Sequence, residues 1–359
     1  MGWTRTEARM DRFVGLDVHA ASTTVAVVGP SGRHLETRVV ETNGRSLVNA
    51  LRLIPGNCHV CLEEGIQAEW VYELLKPHVT EVVVAKVERR RQPKNDARDA
   101  LGLAERIRTH AVGTPVFKDT APMASLRELA RLHAKVVADV VRSKNRLKCL
   151  FRARGIETAG KGVYGTAERD AWLKKLPKAK RLAAEVVYAE LDAIEPLRTK
   201  VEEDLIREAK RFPIARKLET CPGLGPIRVA QLMATVVTPG RFRTKRQFWS
   251  YCGLAIVTRS SSDWVQDEQK RWKRGTVPLT RGLNRSCNRP LKYVFKSAAT
   301  TVITQPDSAL GKEYTHLVNS GTKPNLAKLT IARRIAAIAL ALWKHDEEYD
   351  PTKHPKQAA

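Results

Sequence analysis

Phe13-Val14-Gly15-Leu16-Asp17-Val18-His19 is a short apolar run that closes on an aspartate. A charge at the end of a buried strand is costly unless it has a partner, so Asp17 is the residue to follow. Working outward, Thr23 to Val28 is a second apolar run, followed by the turn-forming Gly29-Pro30-Ser31-Gly32, and His34 to Thr42 is a third strand. Short connections between three strands predict an antiparallel meander. Ser46 to Leu53 then has helical spacing, His59 to Leu62 reads as a strand, Ala68 to Leu75 as a helix and Glu81 to Val87 as a strand. A helical pattern returns from Ala97 to Arg108.

Strands first, then alternating helix and strand, is the order of an RNase-H-like α/β fold. In that order the strand ends and a helix start carry acids. Asp17 ends the first strand, Glu63 ends the fourth in Cys61-Leu62-Glu63-Glu64-Gly65, and Asp96 and Asp99 start the helix in Lys94-Asn95-Asp96-Ala97-Arg98-Asp99-Ala100. A spacing of three puts Asp96 and Asp99 on one helix face, and the helix dipole favours carboxylates there. Converging carboxylates repel one another. Bound Mg2+ or Mn2+ relieves that repulsion and supplies positive charge where a phosphoryl transition state gathers negative charge. Singly, each has a plainer reading: Asp96 as an N-cap, Glu63 or Glu64 as a solvated strand end. Only one of Glu63 and Glu64 can face the metal, because neighbours on a strand point to opposite sides. Cys58 and Cys61, three apart on the same strand, likewise cannot share a zinc ion, and the cysteines read as buried, reduced thiols.

Beyond Pro122 the texture becomes helical. Leu126, Leu129, Leu132, Val136, Val140, Leu147 and Leu150 recur at helical intervals, as do Val187, Leu191, Ile194, Leu197, Val201 and Leu205. Two long amphipathic helices joined by a loop around Gly155 to Gly165 form either an antiparallel coiled-coil arm or a helical hairpin packed on its neighbours. Pro213 to Pro222 breaks the pattern, and a compact, mainly helical domain is expected to about Tyr349. The organisation read from the chain is a flexible arm at 1–12, an α/β domain at 13–121, a helical arm at 122–212, a C-terminal domain at 213–349 and a tail at 350–359.

Pro222-Gly223-Leu224-Gly225-Pro226 reads as a helix-hairpin-helix turn, in which Gly223 and Gly225 let the backbone approach a phosphate. Phe242, Phe248, Trp249 and Tyr251 follow, then Arg259-Ser260-Ser261-Ser262-Asp263, then the basic stretch Lys270, Arg271, Lys273, Arg274, Arg281, Arg285, Arg289 and Lys292. Aromatics among bases suit contact with phosphates and unpaired bases. The serines alone read as a polar loop, since no histidine nearby suggests a triad. The 359 residues carry 63 basic and 38 acidic side chains, a net +25, which points to a polyanionic partner, nucleic acid before a membrane surface. The most apolar C-terminal run, Ile331 to Trp343, is broken by Arg333 and Arg334 and is too short to span a bilayer. A cytoplasmic, nucleoid-associated protein is expected, with no membrane partner.

These blocks in this order resemble the DEDD-type transposases of the insertion-sequence one-ten group, RNA-guided recombinases that work with a bridge RNA. The resemblance rests on Gly15-Leu16-Asp17-Val18-His19 with Leu62-Glu63, on Lys94 to Ala100, and on Pro222-Gly223-Leu224-Gly225 through Gly253-Leu254 to the serines. The closing helix Leu329 to Trp343 and Tyr349-Asp350-Pro351 add to it. It implies a RuvC-like N-terminal domain, a coiled-coil connection and a C-terminal transposase domain. It implies that Asp17, Glu63, Asp96 and Asp99 hold Mg2+ or Mn2+, and that a serine is the nucleophile. The match falls on Ser261, with Ser262 where the family has glycine, so Ser260 and Ser262 are alternatives. Asn284 to Lys292 departs from the family's Lys-x-Gly-Asn pattern. The implied partners are donor and target double-stranded DNA, a noncoding bridge RNA, and further copies of the chain in a dimer or tetramer. A water-using junction nuclease and a nonenzymatic nucleic-acid binder are the other readings of the same residues.

Overall fold

The computed structural model describes residues 10–87, 95–113, 115–116, 123–259, 264–274 and 280–352. The chain divides into two compact units, Met1–Asp119 and Thr120–Ala359.

The first unit runs β1 (Asp11–Val18), β2 (Ser22–Val28), β3 (His34–Glu41), α1 (Gly44–Arg52), β4 (Asn57–Glu63), α2 (Ala68–Leu75), β5 (Glu81–Ala85) and α3 (Asp96–Arg108). β1 opens at Asp11, inside the stretch expected to be a loose arm, and β5 stops two residues short of Val87. The sheet order is β3-β2-β1-β4-β5, with β1, β2 and β3 antiparallel and β1, β4 and β5 parallel. Strand alternation sorts the side chains. Val14, Leu16, Val60, Leu62 and Val84 face Leu47, Leu51, Val71 and Leu75 of α1 and α2. Cys61 and Ala85 face Leu103 and Ile107 of α3, with Phe13 and Val83 alongside. Cys58 and Cys61 therefore lie in different cores, one on each side of the sheet.

Gly15 sets how closely α3 lies on the sheet. A β-carbon there would stand 1.8 Å from the Ala100 carbonyl oxygen and 2.6 Å from the Ala104 nitrogen. The helix backbone thus rests directly on β1, and any side chain would lift it off.

The second unit opens with α4 (Ala124–Arg152), α5 (Arg169–Lys174) and α6 (Lys178–Ala209). α4 and α6 run antiparallel, since His133 meets Glu202, Lys144 meets Glu195 and Arg146 meets Glu190. Their connecting end has its own core of Leu147, Phe151, Val163, Leu176, Val187, Tyr188 and Leu191, and the Tyr188 hydroxyl donates to the Val163 carbonyl. Near the other end His133 also meets Gln231.

Next come α7 (Ile214–Glu219), α8 (Pro226–Val236), α9 (Lys245–Tyr251), β6 (Ile256–Arg259), β7 (Trp264–Gln266), β8 (Trp272–Arg274), β9 (Thr280–Leu283), α10 (Arg289–Ile303), α11 (Ala309–Asn319) and α12 (Pro324–His345). The expected break at Pro213 to Pro222 holds a short helix, with Pro213 as N-cap of α7. β6 pairs with β9 and β7 with β8 as two-stranded ribbons, elements the periodicity did not separate. α12 is the central helix, with Ile331, Ile335, Ala336, Ala339 and Leu342 buried. Among the described residues no helix is long and apolar enough to cross a membrane. The whole is mixed α/β, an N-terminal sheet followed by a mainly helical region, compatible with a DEDD nuclease-like fold.

Candidate metal centre and basic surface

The parallel register of β1 and β4 pairs Leu16 with Leu62, so Asp17 and Glu63 follow at the same end of the sheet. Both lie on the side that α3 covers, because Gly15 and Cys61 two residues back are on that side. α3 starts at this edge. Asn95 is its N-cap and accepts from the Arg98 amide at 3.1 Å. Asp96 is therefore not the cap, which removes the plainest structural role proposed for it. As first-turn acids, Asp96 and Asp99 gain about 0.3–1 kcal/mol each from the helix dipole when little screened.

Asp17, His19 and Asp96 converge, with one ligand-capable atom from each lying within 4.8 Å of the others. His19 Nε2 is 3.2 Å from Asp17 Oδ2 and 3.4 Å from Asp96 Oδ1. Asp17 is only 17% exposed, and among the described residues its buried Oδ2 accepts no hydrogen bond of good geometry. A buried carboxylate oxygen left in that state is costly, and a cation is the natural remedy. The donor set suits a hard divalent ion: two carboxylates, with an imidazole that Mn2+ tolerates better than Mg2+.

The other two predicted carboxylates are not part of this close group. Glu63 Oε1 stands 3.9 Å from Arg106 Nη1 of α3, so a guanidinium tempers its charge. Asp99 is half-buried on the first turn of α3, one residue before the buried Ala100. Glu64 is exposed, on the opposite side of the strand from Glu63. His19 is the residue that sequence reasoning missed. Its signal was present, since it lies two residues after Asp17 and so repeats the strand's period. The turn that aims it, with the His19 amide donating to the Ser22 carbonyl at 3.0 Å, is legible only in three dimensions.

In the second unit, the two glycines of the turn after α7 differ. Gly223 has φ +77, and a β-carbon there would meet the Ala298 carbonyl at 2.6 Å and Val302 at 2.9 Å. Its carbonyl accepts from Arg228, which also reaches Thr301. Gly223 thus packs against α10, and a side chain there would push the two apart. Gly225, the N-cap of α8, has nothing among the described residues within 4 Å of where a side chain would begin.

Ser260, Ser261, Ser262 and Asp263 lie outside the described residues, in chain order between β6 and β7. Earlier in the chain, Arg333 Nε donates to the Leu254 carbonyl and Trp249 Nε1 donates to the Arg333 carbonyl, fixing α9 and the entry to β6 on α12. Lys270, Arg271, Lys273, Arg285 and Arg289 are exposed and Lys292 is half-buried. Arg274 and Arg281 belong to β8 and β9, and their side chains lie outside the described residues. Residues 1–119 hold 17 basic and 15 acidic side chains, so 46 of the 63 basic and 23 of the 38 acidic ones fall in the second unit.

Known families match both units. A model for DEDD transposases of the IS110 type, described as "Transposase", matches residues 14–153, and the "Transposase IS116/IS110/IS902 family" model matches residues 215–315. The chain belongs to the IS110 family of transposases. It is 24% identical over 177 residues to "Transposase for insertion sequence element IS1533" of Leptospira borgpetersenii, covering 46% of this chain and 50% of the relative. It is 24% identical over 314 residues to an insertion element IS116 protein of 44.8 kDa from Streptomyces clavuligerus, covering 74% and 75%. It is 20% identical over 286 residues to "Putative transposase y4pF/y4sB" of Sinorhizobium fredii, covering 77% and 66%. The chain thus spans half of the Leptospira relative's length and more of the other two. The first IS110-family match takes in Asp17, His19, Glu63, Asp96 and Asp99, and the second takes in the α7–α8 turn, both ribbons and the basic stretch.

Proposed function

We propose that this IS110-family chain cuts and rejoins DNA strands at a metal-assisted site, with a serine as nucleophile and a bridge RNA as guide. The observation that carries the metal part is the convergence of Asp17, His19 and Asp96 around a buried carboxylate oxygen that has no well-placed donor among the described residues. Asp17 and Asp96 would hold Mg2+ or Mn2+, with His19 as a nitrogen ligand or an orienting partner and Glu63 and Asp99 completing the acidic surround. When bound, such an ion supplies positive charge to the scissile phosphate and favours the ionised form of an attacking hydroxyl.

Ser261 is the proposed nucleophile, with Ser260 and Ser262 as the alternatives. Its oxygen forms an ester bond to phosphorus, the bond from phosphorus to the 3′-oxygen breaks, and the hydroxyl proton ends on the freed 3′-oxygen. Attack by a 3′-hydroxyl of another strand reverses the step and regenerates serine. The phosphodiester energy is conserved, as recombination requires. The serine and the RNA guide rest on the family resemblance. The basic second unit supports binding of donor and target duplexes and of RNA. Assembly as a dimer or tetramer, with serine and carboxylates from different copies, is part of the same reading, as is a cytoplasmic, nucleoid-associated location.

Incubation of protein, RNA and DNA tests the scheme. A covalent protein–DNA adduct is expected, lost in Ser261→Ala and in Asp17→Asn. An adduct that survives Ser261→Ala moves the nucleophile to a neighbouring serine. Cleavage without any adduct favours the water-using nuclease. Strand exchange that persists in Asp17→Asn with the metal chelated rules out the metal mechanism.

A further inference from the structure

The far end of the α4–α6 hairpin is a knob with its own core. Leu147, Phe151, Val163, Leu176, Val187 and Tyr188 pack there, all drawn from the arm itself. From His133 to Arg152, α4 rises about 28 Å, so the knob stands well along the arm from the contact that His133 makes with α8. Its surface is basic. Lys174, Lys175, Lys178, Lys180 and Arg181 crowd the turn from α5 into α6, and no acid lies between Asp170 and Glu185.

Other cations of the arm are matched: Lys144 with Glu195, Arg146 with Glu190 and Arg169 with Asp192. These are not. Lys174, Lys178 and Lys180 are exposed, and among the described residues their side chains meet no carboxylate. Arg181 folds back on the turn, donating from Nε to the Leu176 carbonyl at 3.1 Å and from Nη2 to the Lys174 carbonyl at 3.4 Å, so its charge is fixed there. The fold does not call for this charge. The cations repel one another, and those in the first turn of α6 stand at the unfavourable, positive end of its dipole. The nearby rings are already occupied. Trp172 packs edge-on against Phe151, centroids 5.4 Å apart, with Lys175 Nζ 3.9 Å from its own ring centroid, and Tyr164 meets Lys144 and Lys148. The knob therefore offers a partner charge rather than open rings.

We propose that this knob grips the phosphate backbone of double-stranded DNA through Lys174, Lys178 and Lys180, with Arg181 adding its fixed charge. Lysines are mobile point charges that follow phosphates without reading bases. A DNA duplex carries a negative charge for about every 1.7 Å of its axis, dense enough for each lysine of one turn to meet a phosphate. An unpaired strand is held through stacked rings, which the knob keeps occupied. The inference rests on the DNA-binding reading above and deepens it. The arm becomes a DNA contact in addition to the basic stretch of the C-terminal part, not solely a device for assembly.

The test uses the full chain and fluorescently labelled probes of one length: duplex DNA of two unrelated sequences, duplex RNA and single-stranded DNA. Affinity is measured over a range of salt concentrations. Lys174→Gln, Lys178→Gln and Lys180→Gln combined should reduce the slope of log affinity against log salt by about two to three on duplex DNA. Binding at about 0.1 M salt should weaken at least tenfold, equally for both sequences. Arginine at the same three positions should keep both slope and affinity. Because the side chains are exposed, melting temperature should stay within about 2 °C in either variant. Arg33→Gln, Arg45→Gln and Arg52→Gln, exposed in the first unit, remove the same net charge and should change the slope by less than about one. An equal loss in that control, or a loss that arginine does not restore, overturns the knob as a contact. So does a slope unmoved by the glutamine variant, and each of these leaves the transposase reading in place. A loss confined to duplex RNA or to single-stranded DNA overturns the assignment to a DNA duplex. Failure of the intact protein to bind any nucleic acid would sink both readings.

Discussion

Gly15 and Asp17, two residues apart on β1, divide the work of the site. One lets α3 down onto the sheet and the other receives the acid that α3 delivers. Gly15→Ala forces a carbon to within 1.8 Å of the Ala100 oxygen, so α3 must move. A loss of about 1–3 kcal/mol in urea unfolding is expected, with weakened Mn2+ binding because Asp96 moves with the helix. His19→Ala leaves both carboxylates and removes the nitrogen between them. It should weaken Mn2+ binding, read by calorimetry, by about 10–100-fold. The thiols give a check on the packing. Burial pushes Cys58 up to about 11 and Cys61 up to about 12, against the smaller opposing effects of Arg12 and Arg106, and Cys221 and Cys252 are raised by burial as well. Cys149 is exposed. Alkylation of the native protein at pH 8, followed by peptide mass analysis, should label Cys149 first and leave those four until the chain unfolds.

At the scale of elements, the α4–α6 pair shows how much an amphipathic pattern leaves open. The spacing of Leu126 to Leu150 and Val187 to Leu205 implied two long helices and left both a projecting coiled coil and a packed hairpin possible. The helices are present and antiparallel, and His133, 4% exposed, sits among α4, α6 and α8. Ion pairs stitch the other end. Hydrogen bonds from Arg169 hold the Asp192 carboxyl below its ordinary range, and Lys144, then Arg198, do the same for Glu195. Carboxyls lowered in the fold add stability that is fully present above the unfolded carboxylate range and is lost as pH falls through the lowered values. These groups are partly exposed, so the effect is modest. Melting temperature should therefore fall between about pH 5 and pH 3. Asp192→Asn combined with Glu195→Gln should flatten that fall, and an unchanged pH profile would remove the ion pairs from the account. At the α7–α8 turn, Gly223→Ala meets both a left-handed φ and the α10 backbone, whereas Gly225→Ala meets neither. The first should destabilise the protein markedly more than the second in denaturant titration.

At the scale of the whole molecule, charge and chemistry are divided between the two units. The first unit is nearly balanced and carries the candidate metal-site carboxylates. The second holds almost all of the net +25. Duplex binding should therefore weaken steeply with salt, the logarithm of affinity falling linearly with that of salt concentration. Asp17→Asn should leave that slope unchanged. Each of Lys270→Ala, Arg271→Ala and Lys273→Ala should reduce it by about one if the residue meets a phosphate. A slope unmoved by the triple variant would place the duplex elsewhere on the basic surface.

The sequence by itself determined the first unit's order of strands and helices, because strand and helix periods differ and each apolar run is short and bounded by turns. It also determined which acids end strands and which start a helix. It said less about the serines, where a polar loop carries no period, and it did not resolve the ribbons, whose strands of three or four residues are too short to show one. Only the tertiary structure decided which side chains meet. It joined His19 to Asp17 and Asp96, turned Glu63 toward Arg106 and packed Gly223 against α10. Those choices depend on residues as much as about 80 positions apart, and local spacing carries no information about which turn of one helix will lie across which strand.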